Sequence, residues 1–159
     1  VPALARGDID AGVMFPDFYP AAAEALGEDY AEEISADYIA HFVVSASREM
    51  LDTRAEEIEG FVAALVRAEE FITANPEDAQ AILSEASQGA LSLEAVANAW
   101  PEAEYEIGLD AALVDLLVSE GEWVVAGGLI PGEPTRELME GYIATGPLAA
   151  VDPSRVTLD

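Results

Sequence analysis

The sequence predicts an α/β fold that is rich in helix and short of sheet. Three observations point there. About six segments carry helical periodicity or helix caps, while only two or three short apolar runs read as strands. The two clearest strands lie close together near the N-terminus. A pair of isolated strands does not make a stable sheet, so chain lying outside these 159 residues is expected to complete it.

Taken in order, Pro2 to Gly7 reads as the end of a helix. Ile9 to Phe15 is a short apolar run between Gly7-Asp8 and Pro16, and its length and bounding turn residues predict a buried strand. Pro16 or Asp17 starts a helix that runs to Leu26 and stops at Gly27. Glu28 to Asp37 is polar and irregular. Tyr38 to Ser45 carries Ile39, Phe42, Val43 and Val44 and reads as the second strand. Ser47 caps a short helix, Arg48 to Leu51.

The longest helix is expected from Arg54 to Ala74. Ile58, Phe61, Val62, Leu65, Val66 and Ile72 form one apolar stripe, with Glu56, Glu59, Arg67 and Glu70 opposite. Asn75-Pro76 ends it and opens the next helix, through Ala79, Ile82 and Leu83. Ser92 caps a helix that reaches Trp100-Pro101. Tyr105 to Ile107 is a short extended piece. Asp110 caps a long helix through Leu113, Leu116, Leu117, Trp123 and Val124, stopped at Gly127-Gly128. Thr135 caps a last helix through Leu138, Met139 and Tyr142, and Gly146 to Asp159 is expected to be loop.

Composition excludes several functions. The chain holds 32 Asp+Glu against 6 Lys+Arg, a formal charge of −26, and every basic residue is arginine. A nucleic-acid partner needs a basic surface to neutralise phosphate, and an anionic membrane surface makes the same demand. The longest uncharged stretch, Gly141 to Val151, falls short of the roughly 18 apolar residues of a membrane helix. No insertion into a membrane is therefore expected. With 52% hydrophobic residues, the acids read as a solvated shell around an apolar interior and not as a disordered chain. Such a shell repels itself, and salt screens the repulsion within about 8 Å at physiological strength and about 3 Å at 1 M. The acid-rich, lysine-free composition resembles that of proteins from salt-loving organisms. No signal peptide opens the chain, and the start at Val1 without methionine predicts a processed, truncated or excised product.

Catalytic chemistry finds little to stand on. There is no cysteine, and the phosphate-binding GxxxxGK and GxGxxG loops and the GxSxG elbow are missing. His41 is the only histidine and lies inside an apolar run, where a structural role is the expectation. Asp8-Ile9-Asp10-Ala11-Gly12 is too short for a calcium loop. No metal or cofactor is expected, and the chain is not read as an enzyme.

One segment has a positional argument. In an open α/β sheet, ligands bind just past the carboxyl ends of the strands. The first strand, ending near Met14, would place Phe15, Pro16, Asp17, Phe18 and Tyr19 there, of which Phe15 and Asp17 are carried as ligand-binding candidates with Met14 and Phe18 behind them. Asp17 has an equally good alternative role as a helix N-cap, and Phe15 and Phe18 as ordinary core. At a helix N-terminus Asp17 would oppose an anion. A cationic or neutral aromatic solute fits better, through stacking or cation–π contact.

Four segments, Ala3 to Ala11, Val43 to Leu51, Phe61 to Pro76 and Trp123 to Ile130, stand in an order that resembles the substrate-binding proteins of the nitrate, sulfonate and taurine ABC importers, a group that includes binders of pyrimidine precursors of thiamine. Ala3-Leu4-Ala5-Arg6-Gly7-Asp8-Ile9-Asp10-Ala11 is similar to its "AL-x-x-G-x-(I/V)-D-A" segment. Val43 to Leu51 looks like its strand followed by "S-x-E-F-L". Phe61 to Pro76 resembles its long helix ending in "N-P-E", and Trp123 to Ile130 its "W-(L/V)-x-x-G-L-I" turn. Many relatives carry "W-(D/E)-P" where this chain has Phe15-Pro16-Asp17.

The resemblance implies a periplasmic-binding-protein-like (type II) two-lobe fold, of which this chain is the C-terminal part. Residues 1–37 would end the second lobe, 38–47 cross between lobes, and 48–159 return as helices to the first. It implies an extracytoplasmic, periplasmic or extracellular solute-binding component of an ABC importer. Its partners would be a small-molecule solute, the permease and the remaining N-terminal part of the same protein, which would also carry any membrane anchor. Two other readings stay open: an enzyme on the same scaffold acting on a pyrimidine-type thiamine precursor, and an acidic helical interaction module without a ligand.

Overall fold

The computed structural model describes residues 1–14, 18–33 and 39–158. In chain order the described elements are α1 (Pro2–Ala5), α2 (Tyr19–Leu26), α3 (Arg48–Thr53), α4 (Ala55–Ala74), α5 (Pro76–Ala86), α6 (Leu93–Ala99), β1 (Leu109–Asp110), α7 (Ala111–Ala126), α8 (Arg136–Glu140), α9 (Gly146–Val151) and β2 (Val156–Thr157). Short 3₁₀ turns follow α2, α6 and α9. The protein is helix-rich, and the sheet among the described residues is one parallel two-residue pairing of β1 with β2, Leu109 opposite Val156 and Asp110 opposite Thr157.

Local chemistry explains most helix starts. Ser47, Ser92, Asp110 and Thr135 each accept a hydrogen bond from the backbone N–H three residues on, at 3.2, 3.1, 2.9 and 3.2 Å. Each bond satisfies one of the amides that a helix leaves without an internal partner. Pro76 opens α5, where its missing N–H costs nothing. The stop of α7 is a Schellman motif. Gly128 sits at φ +71, the Leu129 N–H donates to the Val124 carbonyl at 3.2 Å, and the Gly128 N–H donates to that of Val125 at 2.9 Å. Gly27 ends α2 at φ +57.

The chain divides into two units. The first comprises residues 1–40 and 75–104, with α1 against α2 and α5 against α6. Its buried apolar residues are Ala22, Ala79 and Val96. The second comprises residues 41–74 and 105–159. Here α4 lies along α9, α3 meets the start of α4, and α7 meets α8. Val66, Leu113, Val114 and Leu148 are its buried core. Within α4, Ile58, Val62, Leu65 and Ile72 flank Val66 as half-buried residues, whereas Phe61 is exposed and falls outside the buried stripe.

Several expectations are corrected. Neither predicted strand forms a ladder among the described residues, and 9–14 and 39–45 carry no strand. A strand needs a laddered neighbour, and the ladder among the described residues joins Leu109–Asp110 to Val156–Thr157. The tail from Gly146 onward is not loop, for it forms α9, a 3₁₀ turn and β2. Tyr105 to Ile107 is not a strand, and the pairing begins two residues later, at Leu109. Helix α2 spans Tyr19–Leu26 with Phe18 in the N-cap position, and the expected start at Pro16 or Asp17 lies outside the described residues.

Candidate functional site

The predicted ligand-binding residues come from the turn between the first apolar run and α2. Phe15 and Asp17 lie outside the described residues. Met14 is half-buried at the end of an unpaired stretch, after Ile9 and Val13, which are exposed. That stretch turns back on α1, since a side chain at Gly12 would meet Ile9 and Leu4 at 3.7 and 3.9 Å. Phe18 is half-exposed and makes no capping bond. Met14 and Phe18 flank the residues that lie outside the described ones.

A second feature is the run from Ile39 to Ser47. Its backbone is in neither helix nor sheet up to α3, and Phe42, Val43 and Val44 are 90%, 63% and 67% exposed. In an extended chain, alternate side chains point to opposite sides. Ile39 and Val43 would share one side, and Phe42 and Val44 the other, so both sides are apolar. Strands apolar on both sides belong to sheets covered on both faces. Leaving such a run in water forgoes roughly 1.5–3 kcal/mol for each large side chain.

The strongest polar cluster lies in the second unit. The Glu69 carboxylate on α4 accepts the Ile107 N–H at 2.9 Å and an Arg155 guanidinium N–H at 2.6 Å. The same Arg155 nitrogen donates to the Ile107 carbonyl at 2.9 Å. Its Nε reaches Asp152 at 3.2 Å, and Asp152 accepts the Ser154 N–H and hydroxyl at 3.0 and 2.6 Å. Glu69 raises the Arg155 pKa, and the two Ser154 bonds hold Asp152 below the usual carboxylate range. The cluster ties three distant stretches together. Its bonds hold the C-terminal segment on α4.

Sequence reasoning missed this cluster. Glu69 is one of 32 acids, and its spacing in α4 singles it out in no way. Two signals pointed to an ordered tail: Pro147, in the first turn of α9, and Asp152-Pro153, which starts a capped turn.

Two open hollows lie on the surface. One, of about 390 Å³, is lined by Thr135, Glu137, Leu138, Gly141 and Tyr142, and the other runs along Asp52 to Glu57. Neither includes Met14 or Phe18. Among the described residues no group of three or more metal-ligating side chains gathers, and no helix is long and apolar enough to cross a membrane. In comparisons with known proteins, no family model, no curated protein and no solved structure matches the chain.

Proposed function

We propose that the chain is part of the extracytoplasmic solute-binding component of an ABC importer, the C-terminal part of a type II two-lobe fold. The observation that carries this reading is the Phe42–Val44 run, apolar on both sides, exposed, and followed three residues later by the Ser47-capped helix. It has the character of an inner strand whose neighbours belong to other chain. The order of the four resembling segments supplies the family, and those neighbours would come from sequence preceding Val1. Residues 1–37 then end one lobe, 38–47 cross between lobes, and 48–159 return to the other.

Function follows from hinge closure of the lobes over a small organic solute, with no covalent step and no cofactor. The turn holding Met14, Phe15, Asp17 and Phe18 would face that cleft. An aspartate among aromatics selects a cation or a neutral ring over an anion. The closed form would then dock on its permease.

A thermal-shift panel on the longer chain tests this reading. Amines or pyrimidines should raise the melting temperature, by about 2.7 kcal/mol of linkage at a hundredfold excess over Kd. Asp17→Asn should weaken that response. Stabilisation by nitrate or sulfonates alone contradicts the solute class. Silence across the panel contradicts solute binding and favours an acidic helical interaction module, a reading that the exposed apolar surface also suits. Turnover of any stabilising compound would move the protein to the enzymes.

A further inference from the structure

The chain leaves the second unit after Ala74, at the end of α4, and returns to it at Tyr105. Between those points α5 packs on α6, and the core of the pair is thin. Its buried residues are Ala79 and Val96, both small, while Ile82, Leu83 and Leu93 are 56%, 41% and 51% exposed. Polar bonds hold the turn that joins the two helices. The Ser84 hydroxyl donates to the Leu91 carbonyl at 3.0 Å, and the Ser87 hydroxyl accepts the Leu91 N–H at 2.9 Å. Within that turn Gln88 stands at φ +54, in the left-handed region that residues other than glycine rarely adopt.

Both stems of this helical hairpin meet one arginine. Glu69 stands five residues before Ala74, and Ile107 two residues after Tyr105. Glu69 accepts the Ile107 N–H, and Arg155 donates to both Glu69 and the Ile107 carbonyl. One ion pair thus satisfies both backbone groups of Ile107, as a neighbouring strand would. The ladder itself begins two residues on, with Leu109 opposite Val156. Between them, a side chain at Gly108 would meet the Arg155 carbonyl at 3.8 Å. The Glu69 and Arg155 side chains are 16% and 20% exposed, so salt screens this pair less than a surface one. Behind the clasp, α4 and α9 keep their own packing, with Val66 and Leu148 buried.

We propose that the α5–α6 hairpin opens as a unit while α4, α7 and α9 stay folded, and that the clasp of Arg155 and Glu69 on Ile107 is the latch at which the opening stops. Native proteins open in cooperative pieces that follow supersecondary motifs, and the pieces with few buried apolar contacts open most readily. Without a latch, the open hairpin would fray α4 from its last turn and β1 from its first residue. The proposal is independent of the solute reading, for it uses neither the cleft residues nor the 39–47 run.

The test is amide hydrogen exchange of the 159-residue chain, followed residue by residue by NMR. In the wild type the α5 and α6 amides should exchange together, at least about tenfold faster than those of Val66 and Val114, with the Ile107 amide in the slow group. Leu148→Ala removes packing that the opened hairpin leaves intact. It should speed exchange in α4, α7 and α9 and leave the α5 and α6 rates unchanged. Arg155→Ala should move the Ile107 amide and the last turn of α4 into the fast group, again with α5 and α6 unchanged, and Arg155→Lys should fall between it and the wild type. One common rate for α4, α5, α6 and α7 in the wild type overturns the proposal without any variant. So does acceleration of α5 and α6 by Leu148→Ala. Loss of the whole fold in Arg155→Ala, or equal acceleration of Ile107, Val66 and Val114, makes the clasp a general brace and overturns the latch.

Discussion

Arg155 is the residue on which the second unit closes. Its guanidinium reaches Glu69, the Ile107 carbonyl and Asp152, and its side chain is only 20% exposed. The Arg6–Asp8 pair, by contrast, lies open to water, where ion pairs contribute little. Arg155→Ala should therefore lower the melting temperature clearly, and Arg6→Ala should leave it nearly unchanged. Leu148 secures the same segment through its apolar contact, being buried on α9. Leu148→Ala should cost about 2–5 kcal/mol in a denaturant titration. Asp152 adds a pH dependence. Its folded pKa is depressed by the Ser154 hydroxyl and amide, so its contribution is present above the ordinary aspartate value and is lost as pH falls through the lower folded value. Wild type should exceed Asp152→Asn in stability at neutral pH, and the two should converge in strong acid.

Two helix glycines separate close packing from open space at the level of the element. A side chain at Gly121 in α7 would lie 2.6 Å from Cβ of Pro134 and 3.1 Å from Cε of Met139. At Gly60 in α4 nothing stands within 4 Å. Alanine is the better helix former by about 1 kcal/mol at either site. Gly60→Ala should accordingly stabilise by about 0.5–1 kcal/mol, while Gly121→Ala should destabilise by about 1–3 kcal/mol, because the proline ring cannot yield. Chemical denaturation of the two variants settles both signs. The same local physics made the helices legible. The caps at Ser47, Ser92, Asp110 and Thr135 and the stop at Gly127-Gly128 need only a few neighbouring residues, and all five stand where the sequence places them. Strands need partners far along the chain. Ile9 to Met14 and Ile39 to Ser45 have strand composition but no ladder, and β1 and β2 pair across 47 positions with two residues each. Of the candidate site, Phe15 and Asp17 lie outside the described residues, and a ligand cleft depends on what faces it, which local sequence does not carry.

Charge and surface govern the whole molecule. The accessible surface is 11762 Å², whereas two separate compact bodies of these sizes would expose about 9,200 Å² in total. Phe42 to Val44, Trp123, Leu129 and Ile130 are among the large apolar residues exposed. An acidic chain of charge −26 keeps such surface in solution by repulsion, and the same repulsion strains its folded units. Raising salt from tenths of molar to molar should raise the melting temperature; a flat or falling curve would remove the halophilic reading. The central proposal, that Phe42 to Val44 belong to an inner strand of a larger sheet, is tested most directly by hydrogen exchange at the Phe42, Val43 and Val44 amides. These should exchange freely in the 159-residue chain and become strongly protected when the chain is joined to its upstream sequence. Protection already present in the shorter chain, or free exchange in both, would contradict it.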